Sequence, residues 1–238
     1  MKLPIKGYVE SSMLDWDGMI AAVLYVGGCN FRCPFCQNSS LVLHPHEIDD
    51  VLFEDILRHL KKSGEWVDGV CITGGEPCVY GQALSEHIAG IRETGKKIKL
   101  DTNGAFPEIL ELLLKNRMCD YIAMDIKAPL EPVAYSKATG MGGAEILSRV
   151  KSSISLVMAS GVDYEFRTTV VPVLHSNDDI EKIAAHIRGA KKFALQRFKP
   201  HNTLDPGYEN EKTYPQEVLN QMSKTALKYV SACIVRGV

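Results

Sequence analysis

Three cysteines lie within eight residues of one another, in the segment CNFRCPFC that runs from Cys29 to Cys36 with Cys33 between them. The spacing is C-x3-C-x2-C, and two glycines precede it. Thiolates are the usual protein ligands of iron–sulfur clusters, and a four-iron cluster normally takes four of them. Because only three are local here, the spacing predicts a cluster with one iron open to a small ligand, as a catalytic site requires.

Zinc is the alternative metal for this loop, because structural zinc sites take four ligands from cysteine and histidine. His44 and His46 follow closely enough to supply a fourth ligand. A disulfide framework is disfavoured, since the seven cysteines are odd in number and three of them are clustered. The same pattern indicates a reducing, cytoplasmic setting.

A glycine pair and a carboxylate follow the second predicted strand, at Gly74, Gly75 and Glu76. Paired glycines let the backbone approach a ligand closely. A carboxylate beside them can accept charge-assisted hydrogen bonds from an ammonium group. The segment therefore indicates either a binding turn or a plain glycine-rich turn.

Charged side chains also accompany the later predicted strands, at Asp101, Asp125, Lys127, Arg167 and His201. Charges at strand ends are costly to bury unless they are paired or bind something. The arginine lies inside an apolar strand and therefore needs an anionic partner. The lysine can simply pair with the aspartate two residues before it, and a lone histidine after a strand is more often a surface residue.

Six short apolar runs alternate with helical periodicity, and their lengths suit buried strands. A helix over Glu145–Ser160, ended by Gly161, and a capping box from Ser176 to Asp179 are typical of the helical segments between them. His87 is expected to pack on a helix face, and Cys71, Cys119 and Cys233 to fill the core, whereas Cys78 follows Glu76 closely enough to approach the site. The predicted strands are 19–26, 69–73, 97–102, 121–127, 164–171 and 193–199.

This alternation predicts an α/β fold with a parallel sheet and helices outside it, and reactive groups at the carboxyl ends of the strands. Six strand–helix units fall short of the eight that close a full barrel, so the candidates are a partial (β/α)6 barrel, which we favour slightly, and a doubly wound sheet. No repeat or linker divides the chain. Residues 1–238 are therefore expected to form a single domain, with the core over 18–200 and a C-terminal helix and short end over 213–238.

Composition excludes several classes of function. The 238 residues include 27 Lys plus Arg and 29 Asp plus Glu, and the net charge of −2 gives no electrostatic signature of nucleic-acid or membrane binding. The longest apolar stretch, Met19–Val26, is too short to span a bilayer, and the first residues lack a secretory apolar region. We expect a cytoplasmic protein without nucleic-acid or membrane partners.

The segment from Cys29 to Cys36 resembles the signature of the radical S-adenosylmethionine (SAM) enzymes. The resemblance implies that Cys29, Cys33 and Cys36 hold a [4Fe–4S] cluster and that SAM chelates the fourth iron. It implies reductive cleavage of SAM to methionine and a 5′-deoxyadenosyl radical, which abstracts hydrogen. It also implies the partial (β/α)6 barrel as the fold.

The other strand ends resemble motifs of the same superfamily. Gly74, Gly75 and Glu76 resemble the GGE motif that binds the methionine amino group of SAM. The segments DTNG at Asp101 and DIK at Asp125 resemble the pyruvate formate-lyase activating enzyme branch.

In that branch, the resemblance implies a monovalent-cation site formed with Asp101 and Asp125, beside SAM. It implies that Lys127 faces SAM and the peptide substrate. It further implies that Arg167 binds the SAM carboxylate and that His201 lies near the cofactor.

Similarity over the segments 124–130, 161–172 and 194–198 extends to the activating proteins of anaerobic ribonucleoside-triphosphate reductase. This implies removal of a glycine Cα hydrogen from the reductase large subunit, with a flavodoxin or ferredoxin-type electron donor. Few residues lie outside the predicted core, which suits a macromolecular substrate.

Gln37 stands where many of these activases have histidine, which weakens the assignment of the partner. The alternatives are a radical enzyme acting on a small molecule, of the 7-carboxy-7-deazaguanine synthase kind, or on another protein. A non-catalytic iron–sulfur or zinc protein is the more distant alternative.

Overall fold

The computed structural model describes residues 2–237, which divide into two compact units. The first unit contains residues 2–30, 40–102 and 108–122. The second unit contains residues 31–39, 103–107 and 123–237. A single domain over residues 1–238 stays a prediction.

The strands of the described residues are more numerous than the sequence predicts. They are β1 (Ile5–Ser12), β2 (Ala21–Val26), β3 (Gly69–Gly74), β4 (Lys97–Thr102), β5 (Tyr121–Asp125), β6 (Asp163–Val170), β7 (Phe193–Arg197) and β8 (Cys233–Arg236).

Helices follow most of these strands along the chain. They are α1 (Ser39–Leu43), α2 (Phe53–Lys62), α3 (Gln82–Arg92), α4 (Pro107–Lys115), α5 (Pro132–Thr139), α6 (Ala144–Ala159), α7 (Asn177–His186) and α8 (Gln216–Ala226). Among residues 2–237, no helix combines the length and the apolar composition needed to cross a bilayer.

Within each unit, the order of the strands in the sheet follows their order along the chain. In the first unit β2 pairs in parallel with β3, and β3 with β4. In the second unit β6, β7 and β8 are likewise parallel. Parallel pairing across helical crossovers is the arrangement of α/β proteins, so the predicted fold class is confirmed.

Two observed strands, β1 and β8, are not among the six that the sequence predicts, and each is an edge strand of its own unit. β1 pairs antiparallel with β2, and most of its residues are partly or fully exposed. An edge strand of this kind needs no apolar run, so its sequence does not show the pattern of a buried strand. It occupies the region before Met19 that the sequence analysis leaves without an element. β8 has four partly buried residues and pairs with β7 only after α8 has returned the chain to the sheet.

The helical predictions are confirmed where local signals are strong. Helix α6 ends beside Gly161, whose φ of +77° is the left-handed conformation of a terminating glycine. The capping box of α7 is complete, because Ser176 and Asp179 bond each other's backbone N–H groups. The His87 ring donates a hydrogen bond from Nδ1 to the Ala83 carbonyl, 2.7 Å away, and packs on a neighbouring helix as predicted.

Each unit buries its own apolar strand and helix faces. In the first unit Leu24, Ile72 and Leu100 of successive strands are fully buried, and so are Leu84 and Ile88 of α3. Burial of a side chain of this size contributes roughly 1.5–3 kcal/mol. Cys71, Cys78 and Cys119 are buried, whereas Cys233 is only partly so.

Candidate active site

In the first unit, β2 leads directly into the glycines before Cys29. The Gly28 N–H donates a 2.7 Å hydrogen bond to the carbonyl of Leu41 in α1. The Tyr80 hydroxyl donates to the Gly27 carbonyl, also at 2.7 Å. Gly28 has a φ of +83°, which favours glycine. The beginning of the cysteine loop is therefore fixed from two sides.

The glycine turn after β3 packs against this loop through backbone atoms. The Gly75 N–H donates to the Val26 carbonyl at 2.8 Å, and the Glu76 N–H donates to the Gly28 carbonyl at 2.9 Å. A Cβ atom on Gly75 would overlap the Gly28 oxygen, so glycine is required at this close approach. The Gly74 and Gly75 turn and the loop that carries Cys29 thus form one backbone-bonded surface.

The Glu76 side chain is buried, with 1% of its surface exposed, and is held in place. Its Oε1 accepts hydrogen bonds from the Thr102 hydroxyl at 2.8 Å and from the Cys78 N–H at 3.0 Å. Burial, and then the charge of Glu76, raises the pKa of the Cys78 thiol well above its ordinary value. Cys78 is therefore a neutral neighbour of the carboxylate.

Asp101, at the end of β4, has a cationic partner that the sequence analysis did not assign to it. The Lys99 ammonium, itself buried, lies 2.5 Å from Asp101 Oδ1. The Cys71 thiol lies 3.7 Å from the same oxygen. Lys99 and Asp101 are two residues apart on one strand and so share a face, which is the signal that could have identified the pair.

In the second unit, the rest of the cysteine loop forms a turn in which the Cys36 N–H donates to the Cys33 carbonyl at 3.0 Å. The Arg32 N–H donates to the Thr139 carbonyl at the end of α5, at 2.7 Å. The Cys33 side chain is nearly buried, and Cys36 is partly exposed. Helix α5, which the sequence analysis does not identify, thus supports this part of the loop.

The segment after β7 lies against the same loop. The Gln37 side-chain amide donates to the backbone carbonyls of Lys199 and His201, at 3.1 and 3.4 Å. The Asp205 N–H donates to the Pro34 carbonyl at 2.9 Å. The predicted site residue His201 therefore lies close to the loop, with an exposed side chain. Gln37, the departure from the activase pattern, makes this connection.

Asp125 lies between two cations. The Lys127 ammonium is 2.8 Å from one of its oxygens, and the Arg167 Nε is 2.7 Å from the other. Burial opposes ionisation of Asp125, but Arg167 and Lys127 outweigh it and lower its pKa. Burial alone would lower the pKa of Lys127, but Asp125, with Cys33 and Cys36, raises it.

The Lys127 ammonium of this group therefore lies in the electrostatic surroundings of Cys33 and Cys36. Positive charge near a thiol favours the thiolate, which is the form that binds metal. The Lys127–Asp125 pair is the ordinary interpretation that the sequence left open for Lys127. Arg167 was expected to bind an anion, and in the structure that anion is Asp125.

His175 is a site-supporting residue that sequence reasoning missed. It is fully buried, its Nδ1 accepts from the Val171 N–H at 3.0 Å, and its Nε2 lies 2.8 Å from the Lys127 carbonyl. These bonds fix the tautomer with the proton on Nε2. Burial lowers the pKa of His175. A single histidine between a strand and a helix cap carries no periodic signal that would reveal this role.

The histidines considered for a zinc site lie elsewhere in the first unit. His44 Nδ1 and His46 Nε2 lie 3.4 and 3.7 Å from the Glu47 carboxylate, in an exposed turn after α1. Their ligand atoms form a group of their own with Glu47. The structure therefore offers each histidine a carboxylate partner.

The amino-acid sequence matches the model of the radical SAM superfamily over residues 23–188. A protein of Methanocaldococcus jannaschii whose name assigns it to the glycyl-radical enzyme activating enzymes is 31% identical over 238 residues, covering all of this chain and 98% of that protein. Pyruvate formate-lyase-activating enzyme of Staphylococcus aureus is 24% identical, covering 95% of this chain and 96% of that enzyme. 7-Carboxy-7-deazaguanine synthase of Hyperthermus butylicus is 32% identical over only 96 residues, 39% of this chain and 38% of that enzyme.

Among solved structures, Streptococcus suis SuiB superposes with a TM-score of 0.68 at 16% identity. The alignment covers 89% of this chain and 47% of SuiB, so this chain spans about half the length of that protein. At this identity the likeness concerns the fold alone. It supports the partial-barrel type of α/β fold over the doubly wound alternative.

The residues present suit the cofactors of this superfamily. Three cysteines with cluster spacing can supply the ligands, the Lys127 ammonium lies in the electrostatic surroundings of Cys33 and Cys36, and a glycine turn is bonded to the loop of Cys29. The cofactors are a [4Fe–4S] cluster and SAM. The family model and the full-length relative together establish that the chain belongs to the radical SAM superfamily, within the branch of the glycyl-radical enzyme activating enzymes.

Proposed function

We propose that this protein removes a hydrogen atom from a glycine Cα of anaerobic ribonucleoside-triphosphate reductase and so activates that enzyme. The observation that carries the proposal is the match over all 238 residues to a relative named for glycyl-radical enzyme activation. When bound, the reduced cluster supplies the electron that cleaves SAM to methionine and a 5′-deoxyadenosyl radical. The reductase is proposed on the segments of similarity given above, at 124–130, 161–172 and 194–198.

In this proposal, Cys29, Cys33 and Cys36 are the ligands of three irons. The surroundings of Cys33 and Cys36 support it, because Lys127 supplies positive charge there. Such charge offsets the negative charge that three thiolates bring to a cluster.

Glu76 is the proposed acceptor for the SAM amino group, with the Gly74 and Gly75 backbone allowing close approach. The buried carboxylate is held by two hydrogen bonds to one oxygen, which fixes its orientation. Arg167 is proposed to bind the SAM carboxylate. A guanidinium has five donors, so its bond to Asp125 is compatible with a second anionic partner.

Lys127 is the proposed catalytic residue that faces SAM and the glycyl-bearing loop of the substrate, and His201 is proposed to lie beside the cofactor. The fixed position of Lys127 supports its role. Asp125 accepts a hydrogen bond from its ammonium group, and His175 donates one to its backbone carbonyl. The monovalent cation at Asp101 and Asp125 stays a prediction. Both carboxylates already have protein cations as partners.

We also propose a flavodoxin or ferredoxin-type protein as the electron donor and the cytoplasm as the location. A one-electron donor of low potential is what the chemistry requires. A reducing compartment keeps thiols available for the cluster.

The test is a two-stage anaerobic assay. Cluster-loaded, reduced protein should convert SAM to 5′-deoxyadenosine, and co-incubation with the reductase large subunit should give the doublet of a glycyl radical in the electron paramagnetic resonance spectrum. A reductase variant whose radical-bearing glycine is changed to alanine is the control and should give no doublet. Formation of 5′-deoxyadenosine without a doublet would contradict the proposed partner.

A small-molecule reaction is the second candidate, because partial matches to 7-carboxy-7-deazaguanine synthases exist. These matches cover 39% and 58% of the chain, whereas the activase relative covers all of it. Mass spectrometry of the loaded enzyme with a cell-extract pool of small molecules tests this candidate. Accumulation of 7-carboxy-7-deazaguanine would favour it over the activase.

A further inference from the structure

The Tyr135 hydroxyl is buried, and its proton has no hydrogen-bond acceptor among residues 2–237. The side chain lies in α5 and is only 1% exposed. A buried hydroxyl left unsatisfied costs about 1–3 kcal/mol, and native structures rarely tolerate one without a reason. The hydroxyl therefore indicates a missing acceptor.

Helix α5 lies directly on the cysteine loop of the second unit. The Tyr135 ring meets the edge of Phe31, with ring centroids 6.3 Å apart. At the end of the helix, the Thr139 carbonyl accepts from the Arg32 N–H at 2.7 Å. A Cβ atom on Gly140 would lie 2.6 Å from the Arg32 carbonyl, so the two backbones are in close contact. Tyr135 is thus held against the residues that precede Cys33.

The charged groups that act on this hydroxyl belong to the same site. Burial raises the pKa of Tyr135, the Lys127 ammonium and the Lys127 backbone lower it, and the charges of Cys33 and Asp125 raise it. A phenol with an ordinary pKa near 10 is already a donor at neutral pH. The orphan group is therefore a hydrogen-bond donor in the electrostatic surroundings of Cys33.

We propose that the Tyr135 hydroxyl donates a hydrogen bond to a sulfur atom of the assembled cluster, on the side of Cys33, and thereby raises the cluster's reduction potential. The inference rests on the proposed function, in which Cys33 is a cluster ligand. Hydrogen bonds to cluster sulfurs are one of the features that set the potential, because they stabilise the more negative reduced state. Tyr135 acts through the sulfur, so it is a positioning residue.

The experiment compares cluster-loaded wild type with Tyr135→Phe in a potentiometric titration followed by electron paramagnetic resonance. The substitution removes only a hydroxyl whose proton has no acceptor in the described residues, so the fold should be retained. We expect the ratio of reduced to oxidised cluster at a fixed potential to fall about tenfold, the effect of one hydrogen bond. For a one-electron couple that is about 59 mV.

Tyr164→Phe is the matched control, since it removes the hydroxyl of another buried tyrosine of the second unit. That hydroxyl accepts from the Lys191 N–H, and the potential should stay at the wild-type value. A second measurement detects the bond itself: after exchange into D2O, the reduced wild-type cluster should show a deuterium hyperfine coupling that Tyr135→Phe lacks.

Equal potentials and equal couplings in wild type and Tyr135→Phe would overturn the inference. The two proposals fail separately. A wild-type protein that assembles the cluster but leaves SAM intact would contradict the proposed function, while the comparison of potentials remains decisive for Tyr135. Equal potentials in a protein that cleaves SAM would contradict the role of Tyr135 alone.

Discussion

Single charged side chains in the site are balanced by partners in their own unit. Asp101 has the buried Lys99 ammonium, and Asp125 has Lys127 and Arg167. A buried charge without such a partner would cost several kcal/mol, on the order of the penalty for a broken buried ion pair. The pairs therefore make it possible to keep charges close to where SAM and the cluster are proposed to bind.

Glu76→Gln tests the proposed ammonium acceptor at the level of one atom. Glutamine keeps an oxygen for the Thr102 hydroxyl and the Cys78 N–H but loses the negative charge. We expect the dissociation constant for SAM, measured calorimetrically on cluster-loaded protein, to rise about tenfold, since bonds to charged groups contribute about 1.5–3 kcal/mol. Glu86→Gln, at an exposed position of α3, is the control, and an unchanged constant for Glu76→Gln would contradict the assignment.

His175 makes the stability of the second unit pH-dependent. Its pKa is lowered in the folded chain by burial, against an unfolded value near 6.5. The stability it contributes is therefore present above about pH 6.5 and is lost as the pH falls.

We expect the free energy of unfolding to decline from pH 7 to pH 5 in wild type and to decline less in His175→Gln. At pH 7 the variant should lose about 1–2 kcal/mol, because two backbone groups lose their partner. Denaturant titrations at several pH values measure both effects. His186→Gln, at an exposed position of α7, should keep the wild-type slope, and identical slopes for all three proteins would refute the prediction.

At the scale of elements, local signals define helix ends better than they define edge strands. The caps of α6 and α7 depend on neighbouring residues, and both were predicted. β1 is half-exposed and has no apolar run, and β8 has only four residues and pairs with β7, which precedes it by a whole helix. Helix α5 has little amphipathic pattern, so its contact with the cysteine loop could not be anticipated.

Ser176→Ala tests the capping box of α7. The serine hydroxyl accepts from the Asp179 N–H, so its loss should lower the free energy of unfolding by about 1 kcal/mol at pH 7, measured by urea denaturation. Ser152→Ala, at an exposed position within α6, should change the free energy of unfolding by less than about 0.5 kcal/mol.

The same helix end predicts the effect of acid. Burial opposes ionisation of Asp179, but hydrogen bonds from Ser176 outweigh it and lower the pKa. The contribution of the carboxylate is therefore present above about pH 3.9 and is lost as the pH falls through the folded-state pKa. The stability difference between wild type and Ser176→Ala should narrow in that range, and a constant difference down to pH 2 would contradict the pairing.

For the whole molecule, we expect the fold to be independent of the cluster. Cys29→Ala, Cys33→Ala and Cys36→Ala should each abolish formation of 5′-deoxyadenosine. The free energy of unfolding of the cluster-free Cys29→Ala and Cys36→Ala proteins should stay within about 1 kcal/mol of wild type, because buried apolar side chains supply the cores. Cys33 is buried, so Cys33→Ala should lose about 1 kcal/mol. Circular dichroism and urea titration measure the fold, and chromatography measures the product.

Cys119→Ala is the matched control for these variants. This cysteine is 3% exposed and lies outside the loop, so its variant should keep the product but lose about 1 kcal/mol or more of stability. Product formation by any of the three loop variants would contradict the assignment of that cysteine as a ligand.

The sequence by itself determined the cysteine spacing, the glycine turn with Glu76 and the strand ends that carry Asp101 and Asp125, because these features are set by neighbouring residues. Only the tertiary structure decided which groups meet: Arg167 with Asp125, His175 with the Lys127 backbone, and Tyr135 with the cysteine loop. Arg167 and Asp125 are 42 residues apart, and His175 and Lys127 are 48 apart. Such pairs depend on strand register and helix docking, which leave no local trace in the chain.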